Sequence, residues 1–209
     1  MIDLYTFNTP NGYKVSIMLE ELGLPYTVHS VNITKDEQFK PEFLAISPNN
    51  KIPAIVDSDG PDGKPLAVFE SGAILVYLAQ KTKSALLPSD PRGFTTVLEW
   101  LFFQMASVGP MFGQMNHFGR FAPEKIPYGI NRYTNESKRI LGVMDKQLGA
   151  NAYLAGATYS IADIACYGWV RSAETYLQSL DTWPNVQRWA AELGARPAVQ
   201  KGMNVPAKN

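Results

Sequence analysis

The stretch Asn49–Ser71, which reads NNKIPAIVDSDGPDGKPLAVFES, decides the fold. Pro53 precedes the apolar run AIV, a position typical of the start of a strand, because proline cannot donate a hydrogen bond to a ladder. The turn-forming residues 57–65 separate this run from a second one, LAVFE, so two paired strands are predicted. Glu70 and Ser71 then lead directly into GAILVYLAQK, which has the apolar spacing of a helix.

The same stretch has the features of a binding site for a peptide-like molecule. If the Ile52–Pro53 bond is cis, the backbone N–H and C=O of Ile52 face outward and are free to pair with an extended peptide. Ser71 is a good N-cap, and the N–H groups at the start of the following helix favour a carboxylate. Glu70, beside it, can hold an ammonium group. We therefore expect a ligand that carries both charges.

Upstream of this stretch, the pattern predicts a strand, a helix and a second strand. Ile2–Phe7 is short and β-prone, and a helix that ends near Gly23 follows a turn. Tyr26–Ile33 is the second strand, and Pro41–Ala45 is a short helix. The resulting order, β-α-β-α-β-β-α, is that of a thioredoxin-like domain over residues 1–81.

The rest of the chain is predicted to be helical, so the fold class is α/β plus all-α. Residues 82–91 contain two prolines and form a linker, and residues 92–209 form an all-helical domain. SIADIA, which starts at Ser160, is a capping box with Asp in place of Glu. The segment 111–127 is hard to assign, and 202–209 is predicted to be a frayed tail.

Composition excludes several classes of function. The chain has 209 residues, with 19 basic and 19 acidic side chains, so no net charge attracts nucleic acid or an anionic membrane. No apolar run is long enough for a membrane span, and no N-terminal leader pattern is present. The single cysteine, Cys166, fits a reducing compartment, so a cytoplasmic location is expected. His29, His117 and Cys166 lack the spacing of metal ligands, and no metal is expected.

Several motifs together resemble the cytosolic glutathione transferases. NKIPAIV followed by FESGAILVYLA is similar to the glutathione-site signature of that superfamily, and SIADIACYGW resembles the N-capping helix of its second domain. TPNGYKV, QFKPEFLAISPNNKIPAIVD, GPMFGQMNHF and IPYGINRY are similar to the nu class and its Ure2p-like relatives. This resemblance implies the glutathione transferase fold and the activity of a glutathione-dependent disulfide-bond oxidoreductase.

The resemblance also implies a set of residues that contact glutathione: Thr9, Asn11, Gln38, Lys51, Ile52, Pro53, Glu70, Ser71 and Arg132. Asn11 and Thr9 are expected near the thiol as catalytic residues, and Gln38 and Lys51 near the glycyl end. A donor beside the thiol favours the thiolate and lowers its pKa. We expect Asn11 to be the more indispensable of the two, although the sequence leaves their relative roles open.

The other implied contacts hold the remainder of the ligand. The backbone of Ile52 pairs with the cysteinyl unit, as a cis Pro53 permits. Glu70 and Ser71 hold the γ-glutamyl ammonium and carboxylate. Arg132 is expected to reach across from the partner subunit of a homodimer.

Some of these residues also have purely structural interpretations. Residues 9–12 can be a simple strand-to-helix turn in which Thr9 or Asn11 caps the helix. Cys166, on an apolar helix, is more often a small buried hydrophobe than a nucleophile. If so, glutathione must supply every thiol, and the site binds two glutathione molecules or one glutathione disulfide.

A second pocket and two other functions remain open from the sequence. We hypothesise that a Met- and Phe-rich segment partly lines an open pocket for a small disulfide or thiol substrate, through Met111, Phe112, Met115, Asn116 and Phe118. One alternative function is a conventional transferase or peroxidase that acts on electrophiles or hydroperoxides. The other is a non-catalytic glutathione-binding regulator.

Overall fold

The computed structural model describes residues 1–207 and divides into two compact units. One unit comprises Met1–Ser84 together with a C-terminal segment that begins at Ala195. The other comprises Ala85–Gly194. The domain limits predicted from the sequence, at residues 81 and 92, stay predictions.

The first unit is built on a four-stranded sheet with the strand order β2-β1-β3-β4. β1 runs parallel to β2, whereas β3 is antiparallel to both β1 and β4. The elements follow the predicted order, which confirms the thioredoxin-like arrangement: β1 Ile2–Thr6, α1 Pro10–Leu22, β2 Tyr26–Ser30, α2 Pro41–Leu44, β3 Ala54–Asp57, β4 Leu66–Phe69 and α3 Ser71–Thr82.

Local chemistry explains where these elements end. α1 ends at Gly23, which takes the left-handed conformation with φ 61° and closes the helix, as predicted. β2 ends at Ser30, three residues earlier than predicted. The reason is the side chain of Asn32, which accepts the N–H of Thr34 at 3.0 Å and starts a 3₁₀ turn.

The C-terminal segment of this unit contains a helix that the sequence did not predict, α9 (Pro197–Gly202). Gly202 is buried, and the Ser16 hydroxyl donates to its carbonyl at 2.7 Å. A Cβ on Gly202 would lie 2.5 Å from the backbone of Ile17, so only glycine permits this approach. The predicted frayed tail is therefore wrong at Gly202, and its last two residues, 208 and 209, lie outside the described residues.

The second unit is helical, as predicted, with α4 Pro91–Phe103, α5 Gly109–Asn116, α6 Pro127–Ala150, α7 Ile161–Leu177 and α8 Pro184–Gly194. Two π-helical turns, Gln104–Val108 and His117–Phe121, flank α5. Each π turn inserts a residue and rotates the side chains that follow, which breaks the apolar period. This explains why the sequence pattern of the 111–127 segment could not be assigned.

The N-terminus of α7 has the predicted capping box. The Ser160 hydroxyl accepts the N–H of Ala162 at 3.3 Å, and Asp163 Oδ2 accepts the N–H of Ser160 at 3.0 Å. Asp163 Oδ1 also accepts the N–H of Leu154 and the indole N–H of Trp189, each at 2.9 Å. Asp163 is fully buried. Through these bonds its side chain connects the loop at Leu154, the start of α7 and Trp189 of α8.

Within the described residues, no helix combines the length and the apolar character that a membrane span requires.

Candidate active site

A cleft in the first unit brings together six of the nine residues predicted to contact the ligand. It has a volume of about 140 Å³ and is bounded by the start of α1, the loop before β3 and the β4–α3 junction. The residues that line it are Asn11, Ser47, Lys51, Ile52, Pro53, Phe69, Glu70 and Ser71. The stretch 49–71 and the turn after β1 thus meet at one place.

Asn11 reaches the cleft because the residue after it is a glycine. A Cβ on Gly12 would lie 2.3 Å from the carbonyl oxygen of Phe7 and 2.5 Å from the Thr6 hydroxyl oxygen. Any side chain at this position would push α1 away from the end of β1. Gly12 therefore lets the first turn of α1, with Asn11 in it, start directly against the strand.

Thr9 is the N-cap of α1, so the structural interpretation of its side chain is correct. Its Oγ1 accepts the N–H of Gly12 at 3.1 Å, and it is not among the residues that line the cleft. Accepting this bond does not use the hydroxyl proton, which is still available for donation. A role beside a thiol is compatible with the cap and stays a prediction.

Ser47 stabilises the conformation of the loop before β3 and lines the cleft, although it is not among the predicted site residues. Its hydroxyl donates to the carbonyl of Lys51 at 2.8 Å, and its carbonyl accepts the N–H of Asn50 at 2.9 Å. Asn50 takes the left-handed conformation with φ 49°. Ser47 is fully buried, and this burial depends on the tertiary fold, not on a local sequence pattern.

Ile52 has the backbone arrangement that the sequence predicted. The Ile52–Pro53 bond is cis, and the side chain of Ile52 packs on a small core that includes Val31 and Phe43. The β1–β3 ladder starts at Ala54. Within residues 1–207, no hydrogen bond from the backbone of Ile52 to another residue is found.

The β4–α3 junction differs from the prediction in one respect. Glu70, not Ser71, is the N-cap of α3, and its side chain makes no capping hydrogen bond. Glu70 has φ 68° and ψ 113°, a conformation that costs a non-glycine residue about 1–3 kcal/mol. Ser71 is therefore the first residue of the helix. It lines the cleft, and its hydroxyl oxygen accepts a hydrogen bond from Lys14 Nζ at 3.1 Å.

Phe69 also lines the cleft, a position that the sequence pattern does not predict. It ends β4 and is 39% exposed. The run LAVFE shows that Phe69 is in a strand, but it does not distinguish an apolar residue that borders a cleft from one that faces a core.

Besides Thr9, two other predicted residues do not line this cleft. Gln38 lies in the 3₁₀ turn Glu37–Phe39, and its buried side-chain oxygen has no hydrogen-bond partner among the described residues. Arg132 lies on α6 in the helical unit, where it is exposed. It lines a separate cavity of about 730 Å³ together with Met111, Tyr128, Tyr133, Glu136 and others. Its predicted reach into a partner subunit stays a prediction.

The second pocket predicted in the Met- and Phe-rich segment is largely wrong. Phe112 and Met115 are fully buried, and the Asn116 side chain donates to the carbonyl of Phe112 at 2.9 Å. These residues form core because α5 keeps a regular helical period between its two π turns. Met111 does line the 730 Å³ cavity. Phe118 stacks on Tyr133 with ring centroids 5.3 Å apart.

Cys166 is fully buried in α7, which confirms that it belongs to the helical core. Among residues 1–207, no group of three or more His, Cys, Asp or Glu side chains is placed to hold a metal ion.

Comparison with known protein families identifies the class to which this fold and cleft belong. Residues 9–81 match the model of the glutathione S-transferase N-terminal domain, and residues 132–197 match that of the C-terminal domain. The chain therefore belongs to the glutathione S-transferase family.

Individual relatives show which members of this family the chain resembles. The chain is 48% identical to the disulfide-bond oxidoreductase YfcG of Escherichia coli over 97% of this chain and 94% of that protein. A glutathione transferase from Burkholderia graminis, solved with two glutathione molecules per subunit, is 48% identical with a TM-score of 0.95, over 100% of this chain and 89% of that one. A glutathione transferase from Pseudomonas putida, solved with one glutathione disulfide per subunit, is 48% identical with a TM-score of 0.93, over 99% and 92% of the two chains.

Proposed function

We propose that this protein is a glutathione-dependent disulfide-bond oxidoreductase in which glutathione, not the protein, supplies every reacting thiol. The observation that carries this proposal is the burial of Cys166. It is the single cysteine in the sequence and its side chain is fully buried. The relatives with two bound glutathione molecules or one glutathione disulfide support a site that accommodates two such units.

The cleft has groups for each part of one glutathione molecule. The carboxylate of Glu70 suits the γ-glutamyl ammonium, and Ser71 with the N-terminus of α3 suits the α-carboxylate. The backbone of Ile52 can pair with the cysteinyl unit as a strand would. Lys51, at the cleft edge, suits the glycyl carboxylate, and Gln38 is assigned to the same end of the ligand.

Asn11 and Thr9 act on the thiol. A cysteine thiol has a pKa of about 8.5 in water, so only a small fraction is thiolate at neutral pH. The Asn11 amide and the Thr9 hydroxyl are donors, and the N-terminus of α1 carries partial positive charge. All three favour the anion and lower the thiol pKa.

The reaction is two successive thiol–disulfide exchanges. The bound glutathione thiolate attacks one sulfur of a substrate disulfide, a new S–S bond forms, and the other substrate sulfur leaves as a thiolate that takes up a proton. A second glutathione thiolate then attacks the glutathione sulfur of the mixed disulfide and releases the remaining substrate thiol. The substrate disulfide is reduced by two electrons, and two glutathione molecules are oxidised to glutathione disulfide.

The proposal includes three finer statements. The substrate is a small disulfide or thiol, the protein is a homodimer in which Arg132 of one subunit serves the cleft of the other, and it works in the cytoplasm. The first two are supported by the resemblance to the nu class, and the third by the single cysteine and the dependence on a reduced thiol pool.

The test is steady-state reduction of a small model disulfide by glutathione, coupled to glutathione reductase, beside conjugation of an aromatic electrophile. We expect fast disulfide turnover and weak conjugation. Fast conjugation with negligible disulfide turnover would contradict the proposal and favour a conventional transferase. Glutathione binding without turnover on either substrate, or on a hydroperoxide, would favour the regulator.

A further inference from the structure

Lys14 is a buried lysine that contacts a residue of the cleft. Lys14 is only 2% exposed, and its Nζ donates a hydrogen bond to Ser71 Oγ at 3.1 Å. Lysine is among the residues least often buried to this extent, because removing an ammonium group from water is costly unless other groups compensate for its charge. Its contact with Ser71 connects this buried side chain to a residue that lines the cleft.

The fold places Lys14 on the side of α1 that faces the cleft. It follows Asn11 by three residues, so both side chains lie on the same face of the helix. α1 packs against α3, and the contact from Lys14 reaches the first residue of α3. Asn11 and Ser71 both line the cleft. The side chain of Lys14 therefore connects α1, which carries Asn11, to α3, which carries Ser71.

We propose that Lys14 is a positioning residue for the γ-glutamyl carboxylate of glutathione, acting through Ser71; this inference rests on the proposed function. An ammonium group has donors and no acceptor, so the Ser71 oxygen accepts from it, and this bond fixes where the hydroxyl lies at the cleft. The positive charge lies on the same side of the carboxylate as the N-terminus of α3, and the two fields add.

The carboxylate-specific part of this role is tested with two ligands. One is glutathione, and the other is γ-aminobutyryl-cysteinyl-glycine, which keeps the amine and the thiol but lacks the α-carboxylate. In Lys14→Met, calorimetric titration should show about 10- to 100-fold weaker binding of glutathione, the range of a charge-assisted hydrogen bond. The Kd of the analogue should stay within about twofold of its wild-type value. Lys14→Arg, which keeps the charge, should recover most of the affinity for glutathione.

Three further variants distinguish a selective effect on the carboxylate from a general loss of folding. Lys14→Gln removes the charge but keeps a polar donor, and it should show the same selective loss if Lys14→Met does not fold. Lys64→Met removes an exposed lysine of the β3–β4 connection and should leave both affinities unchanged. Ser71→Ala should reduce the preference for glutathione over the analogue, and Lys14→Met should add little to that reduction.

The outcomes separate this inference from the proposed function. Equal weakening of both ligands in Lys14→Met and Lys14→Gln would show a merely structural role and overturn the inference. A wild-type protein that binds glutathione no better than the analogue would also overturn it. A wild-type protein that binds neither ligand would instead refute the proposed function.

Discussion

The N-termini of α3 and α7 solve the same chemical problem in opposite ways. At α7, the side chains of Ser160 and Asp163 satisfy the start of the helix from within the fold. At α3, the N-cap Glu70 makes no side-chain capping bond, its backbone is strained, and the junction borders a cleft. The first arrangement is a structural junction, whereas the second borders the cleft that we propose binds glutathione.

The contrast extends along α3 itself. At its C-terminal end, Lys81 forms an ion pair with Asp57 at 2.8 Å, and the Tyr77 hydroxyl donates to the same carboxylate at 2.7 Å. This end ties the helix to β3. One helix therefore has a structural end and an end that borders the proposed glutathione cleft, and mutations should separate the two.

The largest expected effect is on stability, from Asp163→Ala. The change leaves the N–H groups of Leu154, Ser160 and Trp189 without their buried acceptor, so the free energy of unfolding should fall by about 3–5 kcal/mol. Urea unfolding measures this loss. Glu124→Ala, which removes an exposed carboxylate of the same unit, should change stability little. A loss below about 1 kcal/mol for Asp163→Ala would show that this N-terminus does not depend on its buried acid.

The next effect is on catalysis, from Asn11→Ala. Removing one donor beside a developing or bound anion commonly costs about 10²- to 10³-fold in rate, and we expect a loss near the lower end in disulfide reduction. The thermal midpoint should stay close to that of the wild type, because Thr9 still caps α1. Asn204→Ala, at an exposed position, is the control. If Asn11→Ala keeps its activity, Thr9 and not Asn11 is the main residue that stabilises the thiolate.

A smaller effect is expected from Asp57→Asn, at the structural end of α3. Burial raises the pKa of Asp57, but hydrogen bonds from Lys81, Tyr77 and Asp59 outweigh it and hold the pKa below its ordinary value. The stability from this carboxylate is therefore present above the unfolded pKa of about 3.9 and is lost as the pH falls through the lower folded-state value. The variant should lose about 1–3 kcal/mol at pH 7.

Two measurements check that prediction. Urea unfolding between pH 7 and pH 3 should show a shallower decline for Asp57→Asn than for the wild type. The Kd for glutathione at pH 7 should be unchanged, because the mutated end of α3 is not part of the cleft. Weaker glutathione binding in this variant would show that the two ends of α3 are not independent.

The sequence predicts the local features of this molecule better than the tertiary ones. The order of strands and helices in residues 1–81 follows from apolar period and turn residues, and the capping box at Ser160 is a short-range signal. α9 was missed because its stability depends on Gly202 packing against Ile17, which no local pattern reveals. The π turns around α5 disrupt the period on which the prediction depends.

The same distinction applies to the cleft. The stretch 49–71 predicts a peptide-like site, and the cis bond at Pro53 follows the family motif. The N-cap was misassigned because Glu70 takes a left-handed φ that its residue type does not favour. Lys14 and Ser47 escaped notice because their burial arises only when α1 and the loop before β3 fold against their neighbours.

The measurement that tests the central claim most directly is the turnover of a protein without any cysteine. Cys166→Ala removes the single thiol, and because the residue is fully buried the change should cost roughly 1 kcal/mol of stability. Disulfide reduction by glutathione should proceed at a rate within about twofold of the wild type, since glutathione supplies both reacting thiols. Loss of disulfide turnover in a folded, glutathione-binding Cys166→Ala protein would contradict the account and make Cys166 the nucleophile.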